Sequence, residues 1–257
     1  MRSSLNNNRT ELYKKGLNDC GIARIEGITS KAVQIWRKVR GLPNYKPRML
    51  NISLTPTRIL GYFCGLVIED GFIRYSSDSC NYYIFIQSAK NDILDYFFKC
   101  AKKLGAHPFR SSRTKTRKFP NREIKTGLMF QVTVNSKILH EALRPCKCED
   151  YHWKIPNFLN NDEALWGFVE GLFDAEGSIH FDSRYKNKIH SFGAVSKHRN
   201  NIEALQSILF KYQIHSEIYR RKDSFMVQIH RQESVEYFLS KATSSFKIRK
   251  FLQNTGD

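Results

Sequence analysis

Apolar and polar positions along this chain set out a series of helical and extended stretches, and the series runs twice. Alternation with period two at Asn81–Ile86, Leu128–Val134 and Ser224–His230 predicts strands with one face buried. Asp92–Leu104 and Asn201–Tyr212 carry apolar residues at helical spacing instead. Two apolar helix-like runs, Gly61–Gly71 and Gly167–Gly177, begin 106 positions apart, and each closes on a carboxylate and a glycine. Two further anchors recur in order: Gln87–Ile93 pairs with Ser196–Ile202, and Trp153–Leu159 with Phe246–Leu252. Each unit reads as helix, two strands, helix, two strands, helix. The predicted fold is therefore α+β, two pseudo-symmetric αββαββα repeats over residues 50–160 and 161–257, each with an antiparallel sheet. The first repeat holds about 13 extra residues between Ser112 and Lys125, rich in bases and hydroxyls, which read as a basic loop between strands.

Residues 1–49 follow a different pattern. Glu11–Leu17 predicts a helix, and Asp19–Lys38 has the spacing of a helix-turn-helix: Ile22 and Ala23 on its first helix, Gly27 at the turn, and Ile28, Val33 and Trp36 facing inward. Ser30 is the expected cap of the second helix. Its outer face is then Lys31, Gln34, Arg37 and Lys38, types that reach base edges and phosphates. The same pattern also suits a small helical bundle with a solvated basic face. Arg40–Arg48, with two prolines, reads as a linker that touches phosphate.

Charge decides between those uses. Lys and Arg number 42 against 24 Asp and Glu, a formal charge of +18, which repels itself unless a polyanion relieves it. At 41% hydrophobic and 13% aromatic, the chain is too apolar for a disordered basic tail, so the charge decorates a folded body. A nucleic acid is the expected partner, through Ser30, Lys31, Gln34, Arg37 and Lys38 in the first block and Arg113, Lys115, Arg117 and Lys118 in the basic insert. The longest apolar run, Ile59–Ile68, is too short for a bilayer, and no secretory signal is visible, so a soluble intracellular protein is expected, its compartment open. The six cysteines lack framework spacing; Cys146, Cys148 and His152 make half of a zinc pattern with no second half, and the eight histidines form no zinc constellation. There is no phosphate-binding Gly-x4-Gly-Lys-Ser/Thr loop.

The acids carry the chemistry. Gly61 and Gly65, like Gly167 and Gly171, sit four apart, which leaves a bare stripe where two helices can pair closely. Pairing brings Asp70 and Glu176, each in a last helical turn, towards one axis. Carboxylates there oppose the helix dipole and repel each other, penalties that a divalent cation relieves. Mg²⁺, which takes one or two carboxylates plus water and phosphate oxygens, fits, and Mn²⁺ is the alternative. Glu69 and Asp174 lie nearby but do not recur between the units.

Phe63–Gly71 and Val169–Gly177 resemble the nine-position motif of the LAGLIDADG homing endonuclease family in its single-chain, two-repeat form, and the resemblance spans roughly residues 54–257. It implies a saddle of two sheets over paired motif helices. Asp70 and Glu176 are then metal ligands and catalytic acids, with Gln87 and Ser196 as polar neighbours and Lys154 and Lys247 as the lysines near the metals. The implied activity is a monomer making a staggered, metal-dependent double-strand break in a long double-stranded DNA site. Its rival is a protein that kept the fold without cleavage: a maturase acting on intron RNA, or a DNA-binding regulator with a helix-turn-helix.

Overall fold

The computed structural model describes residues 2–15, 17–42, 52–76, 81–119, 122–147, 152–181 and 189–255, with backbone alone for 2–7, 115–119, 122–126 and 254–255. It divides into two compact units, Met1–Leu50 and Asn51–Asp257.

The first unit is three helices: α1 (Arg2–Lys14), α2 (Asp19–Glu26) and α3 (Ser30–Val39). Asn18 caps α2 by accepting from the Gly21 N–H at 2.7 Å, and Gly27 ends it at φ 66°, in the left-handed region that glycine enters without cost. Thr29, rather than the expected Ser30, caps α3: its extended backbone lets Oγ1 accept from the Ala32 N–H at 3.2 Å, while Ser30 is already helical. Tyr13, Ile22, Ala23, Val33 and Trp36 form the core. Arg37 departs from the sequence reading. It is only 5% exposed, and its guanidinium donates to Asp19 (Nε–Oδ1 2.9 Å, Nη2–Oδ2 3.1 Å) and to the Leu42 carbonyl at 3.0 Å. A carboxylate in the first turn of α2 draws the cation inward, so Arg37 fastens the unit instead of facing outward. Lys31 and Lys38 remain exposed and Gln34 is half-buried. Of the expected linker, positions 43–48 lie outside the described residues.

The second unit repeats one plan. Its first half runs α4 (Arg58–Asp70), β1 (Phe72–Ser76), β2 (Asn81–Ser88), α5 (Asn91–Lys103), β3 (Phe109–Phe119), β4 (Arg122–Asn135) and α6 (Lys137–Leu143). The second half runs α7 (Asp162–Glu176), β5 (Gly177–Phe181), β6 (Ile189–Ser196), α8 (Arg199–Lys211), β7 (Glu217–Arg220), β8 (Phe225–Ile229), α9 (Gln232–Lys241) and α10 (Phe246–Thr255). Both sheets are antiparallel with matching orders, β1-β2-β4-β3 and β5-β6-β8-β7. The expected basic loop is instead the outer part of a long hairpin, since β3 and β4 span 11 and 14 residues against 4 and 5 for β7 and β8. Ser112-Arg-Thr-Lys-Thr-Arg117 alternates hydroxyl and base with period two, and threonine suits a pleated strand.

α4 and α7 meet backbone to backbone. A Cβ on Gly61 would stand 1.9 Å from the Ala164 carbonyl oxygen and one on Gly65 2.2 Å from that of Phe168; reciprocally, Gly167 faces Arg58 and Gly171 faces Tyr62. Leu60, Phe63, Phe168 and Leu172 of these helices share one core with Ile84, Val134, Phe192 and Ile229 of the two sheets. Polar ties cross the seam as well: Tyr62 Oη donates to Asp174 at 2.7 Å, and Arg58 grips the buried Glu170 with two bonds of 3.0 Å.

Candidate metal centre

The paired helices end together, so Asp70 and Glu176 lie within hydrogen-bonding reach of each other. Burial raises the pKa of both above the ordinary carboxylate range; the Asp70 charge pushes Glu176 further up, while Lys247 and Lys147 hold Asp70 down. Two carboxylates this close repel each other, a penalty that a bound cation would offset. Gly71 and Gly177 follow in extended backbone, because a Cβ there would meet the Val67 carbonyl oxygen at 2.6 Å or that of Phe173 at 2.3 Å.

Two lysines mirror one another around the pair. Lys147 Nζ donates to the carbonyls of Val67 (3.4 Å), Glu69 (3.2 Å) and Gly71 (2.6 Å); Lys247 Nζ donates to Phe173 (3.3 Å), Ala175 (3.3 Å) and Gly177 (2.6 Å). Each ammonium thus answers the free carbonyls and the negative dipole end of one motif helix. Burial lowers both lysine pKa values against the pull of the carboxylates. Lys154 holds no such place: it is exposed, and its backbone N–H donates to the Cys146 carbonyl at 2.8 Å. Lys147 forms a β-bridge with Trp153, and it is Lys147 rather than Lys154, the residue matched to Lys247 by sequence, that takes the place equivalent to Lys247.

Two clefts flank the acids. One, of about 620 Å³, gathers Glu69, Lys147, Glu176 and Ser196; the other, of about 370 Å³, gathers Asp70, Gln87, Asp174 and Lys247. Ser196 is turned to structure, accepting from Asn201 Nδ2 at 3.2 Å and the His198 N–H at 3.3 Å. Gln87 heads a polar chain on the first sheet: its amide donates to Gln131 at 2.6 Å, and its carbonyl accepts from exposed Arg113 at 2.8 Å. That contact brings the basic β3 strand to the edge of the site. Lys115, Arg117 and Lys118 lie further along β3, where only the backbone is described.

Three participants were not assigned from sequence. Lys147 had no signal beyond abundance. Asp174, only 3% exposed, accepts from Ser245 Oγ at 2.6 Å and the Lys247 N–H at 3.0 Å, so it orients the turn that carries Lys247; an acid inside an apolar helix was its one visible mark. Glu69 stands beside Asp70, and burial together with the charges of Glu176 and Asp70 pushes its carboxyl up to about 7, against the pull of Lys147. Its ordinary value is 4.5, so the stabilisation from its protonated form is complete below about that pH and is lost as pH rises through about 7. Glu69→Gln is accordingly expected to raise the melting temperature of EDTA-treated protein at about pH 8 and to leave it nearly unchanged at about pH 5. An equal shift at both values would show that Glu69 does not titrate in this window.

Asp70 and Glu176 offer hard oxygen donors, and a divalent cation would cancel the repulsion between them, so the pair, completed by water and phosphate oxygens, fits Mg²⁺ or Mn²⁺. Of the half zinc pattern, the Cys146 thiol donates to the Ala142 carbonyl at 3.5 Å, and Cys148 lies outside the described residues.

Among the described residues no helix is long and apolar enough to cross a membrane. Residues 163–242 match the family model described as LAGLIDADG-like domain. An uncharacterised protein of Methanocaldococcus jannaschii, MJ0398, is 27% identical over 241 residues, covering 87% of this chain and 79% of its own. A second from the same organism, MJ0314, is 24% identical over 174 residues, covering 67% of this chain and 61% of its own. Among solved structures, full-length DUF199/WhiA from Thermatoga maritima matches with a TM-score of 0.50 at 12% identity, over 78% of this chain and 60% of that one. I-DmoI in complex with DNA and Mn matches with a TM-score of 0.46 at 16% identity, over 74% and 98%. The second repeat of this chain thus matches a LAGLIDADG-like domain, and the whole second unit has the two-repeat LAGLIDADG fold.

Proposed function

We propose that this protein is a site-specific DNA endonuclease that makes a staggered, metal-dependent double-strand break. The observation that carries this reading is the meeting of Asp70 and Glu176, one acid from each repeat, between two mirrored lysines. A pure binding protein has no use for two mutually repelling carboxylates brought together at two helix ends. Asp70 and Glu176 would hold Mg²⁺ or Mn²⁺, which when bound supplies the charge that polarises a phosphate and acidifies water. Lys147 and Lys247, on either side of the acids, would offset negative charge building on that phosphate, and Asp174 positions Lys247. With both acids in one chain, a monomer suffices. The +18 charge and the basic β3–β4 hairpin support a long duplex as substrate.

A second reading, a DNA-binding regulator that does not cleave, is favoured by α2, Gly27 and α3, which have helix-turn-helix form. One experiment separates the two. Duplexes captured by the protein from a random library in EDTA are incubated with Mg²⁺. Ends cut at a common sequence support the endonuclease, and intact captured duplexes support the regulator.

In either case, deleting residues 1–48 is expected to weaken DNA binding and to lower the slope of log K against log salt by roughly 1 for each phosphate contact removed. An unchanged slope would make the first unit scaffolding. Lys31 and Lys38 are its exposed candidates; Arg37 is not.

A further inference from the structure

At the outer edge of the second sheet, His215, Glu217 and His230 form a cluster that the acid site does not use. Their sequence spacing carries no metal signature, because the two histidines stand 15 positions apart. Register brings them together: β7 and β8 pair Glu217 with Gln228, so two steps on His215 lies across from His230, and strand alternation sets His215 and Glu217 on one face. One potential ligand atom from each lies within 4.8 Å of the other two. His230 Nε2 is 3.4 Å from Glu217 Oε1, and Tyr219 Oη donates to the other oxygen at 2.6 Å, which orients the carboxylate. Nδ1 of both imidazoles is buried and has no hydrogen-bond partner among the described residues. Buried ring nitrogens in that condition are costly.

The fold does not require this cluster. In the first repeat the chain leaves α5 through Gly105 at φ 80°, as it leaves α8 through Gln213 at φ 59°. The same positions there are His107, Phe109 and, by the β3–β4 register, Asn135. Only one of the three, His107, is an imidazole or carboxylate of the kind that binds zinc.

We propose that His215, Glu217 and His230 bind a divalent cation of the zinc class, separate from the carboxylate pair, and clip β7 to the end of β8. Two imidazole nitrogens and one carboxylate oxygen suit Zn²⁺ or Co²⁺, whereas Mg²⁺ prefers oxygen alone. Three protein ligands leave room for water.

The test titrates EDTA-stripped, full-length protein with Zn²⁺ and Co²⁺ under a phosphine reductant. Expected are one equivalent of Zn²⁺ that excess Mg²⁺ does not displace, a raised melting temperature, and a Co²⁺ spectrum without the charge-transfer band of a thiolate. The double variant Asp70→Asn/Glu176→Gln should behave alike. His215→Gln/His230→Gln should lose this binding, and Glu217→Gln, at a half-exposed position that leaves both imidazoles in place, should weaken it about tenfold or more. No stoichiometric uptake by the parent, a thiolate band, or undiminished binding in both variants overturns the proposal. Should the double histidine variant not fold, judged by circular dichroism, the Glu217→Gln result decides.

Discussion

Replacing Gly65 by alanine is expected to leave Asn51–Asp257 without a stable folded state. The new methyl would sit 2.2 Å from the Phe168 carbonyl oxygen and 2.9 Å from the Leu172 nitrogen, both backbone atoms that no rotamer change can move aside. Relief requires α4 and α7 to part along their length, which opens the apolar seam around Phe63, Leu66 and Leu172. Overpacking a core with side chains on both sides already costs about 1–3 kcal/mol. Backbone against backbone places this change in the tail at about 4–5 kcal/mol or more, comparable with the whole stability of many domains. Gly171→Ala should act alike, since its methyl would meet the Tyr62 carbonyl oxygen at 2.2 Å. Gly193→Ala is the control: its nearest neighbours, His180 Nε2 and Met226 Sδ, stand at 3.4 Å. Urea or thermal melts of the three decide, and a Gly65→Ala midpoint within a few degrees of the parent would mean that the helices are not joined in this way.

Asp70→Asn and Glu176→Gln are expected to give opposite changes in two measurements. Cleavage in Mg²⁺ should fall by about 10³-fold or more in each, because an amide neither repels its neighbour nor attracts a cation. Stability in EDTA should rise. Both acids are raised in the folded state, so at neutral pH the parent bears a charge repulsion and burial cost that the neutral isosteres remove. Affinity for DNA in EDTA should hold or improve. Full cleavage by either variant would end the endonuclease reading, and lower stability in EDTA would show that the pair is a structural bond rather than a site under tension.

Much of the second unit was legible in advance. β2 and β4 announced themselves by alternation, α5 and α8 by helical spacing, and the seam by glycines four apart, because each signal is local and each face is buried. The basic insert was read as a loop although its hydroxyl–base alternation is that of a strand; a run with no apolar face lacks the contrast by which strands are usually recognised. Ser30 lost the cap of α3 to its neighbour Thr29 because a cap depends on which residue first leaves helical geometry, a difference of one position.

From the amino-acid sequence alone came the duplication, the α+β plan of each repeat, the helix-turn-helix spacing and the two acids that close the motif helices. These follow from periodicity and from spacing within one element. Tertiary structure decided the rest: that Lys147 and not Lys154 mirrors Lys247, that Glu69 is drawn into the acid site and raised, that Arg37 turns inward to Asp19, and that His215 and His230 meet. Each depends on segments distant along the chain coming within a few ångströms of each other, where burial and neighbouring charge set a group's behaviour, and neither is written in the residues on either side of it.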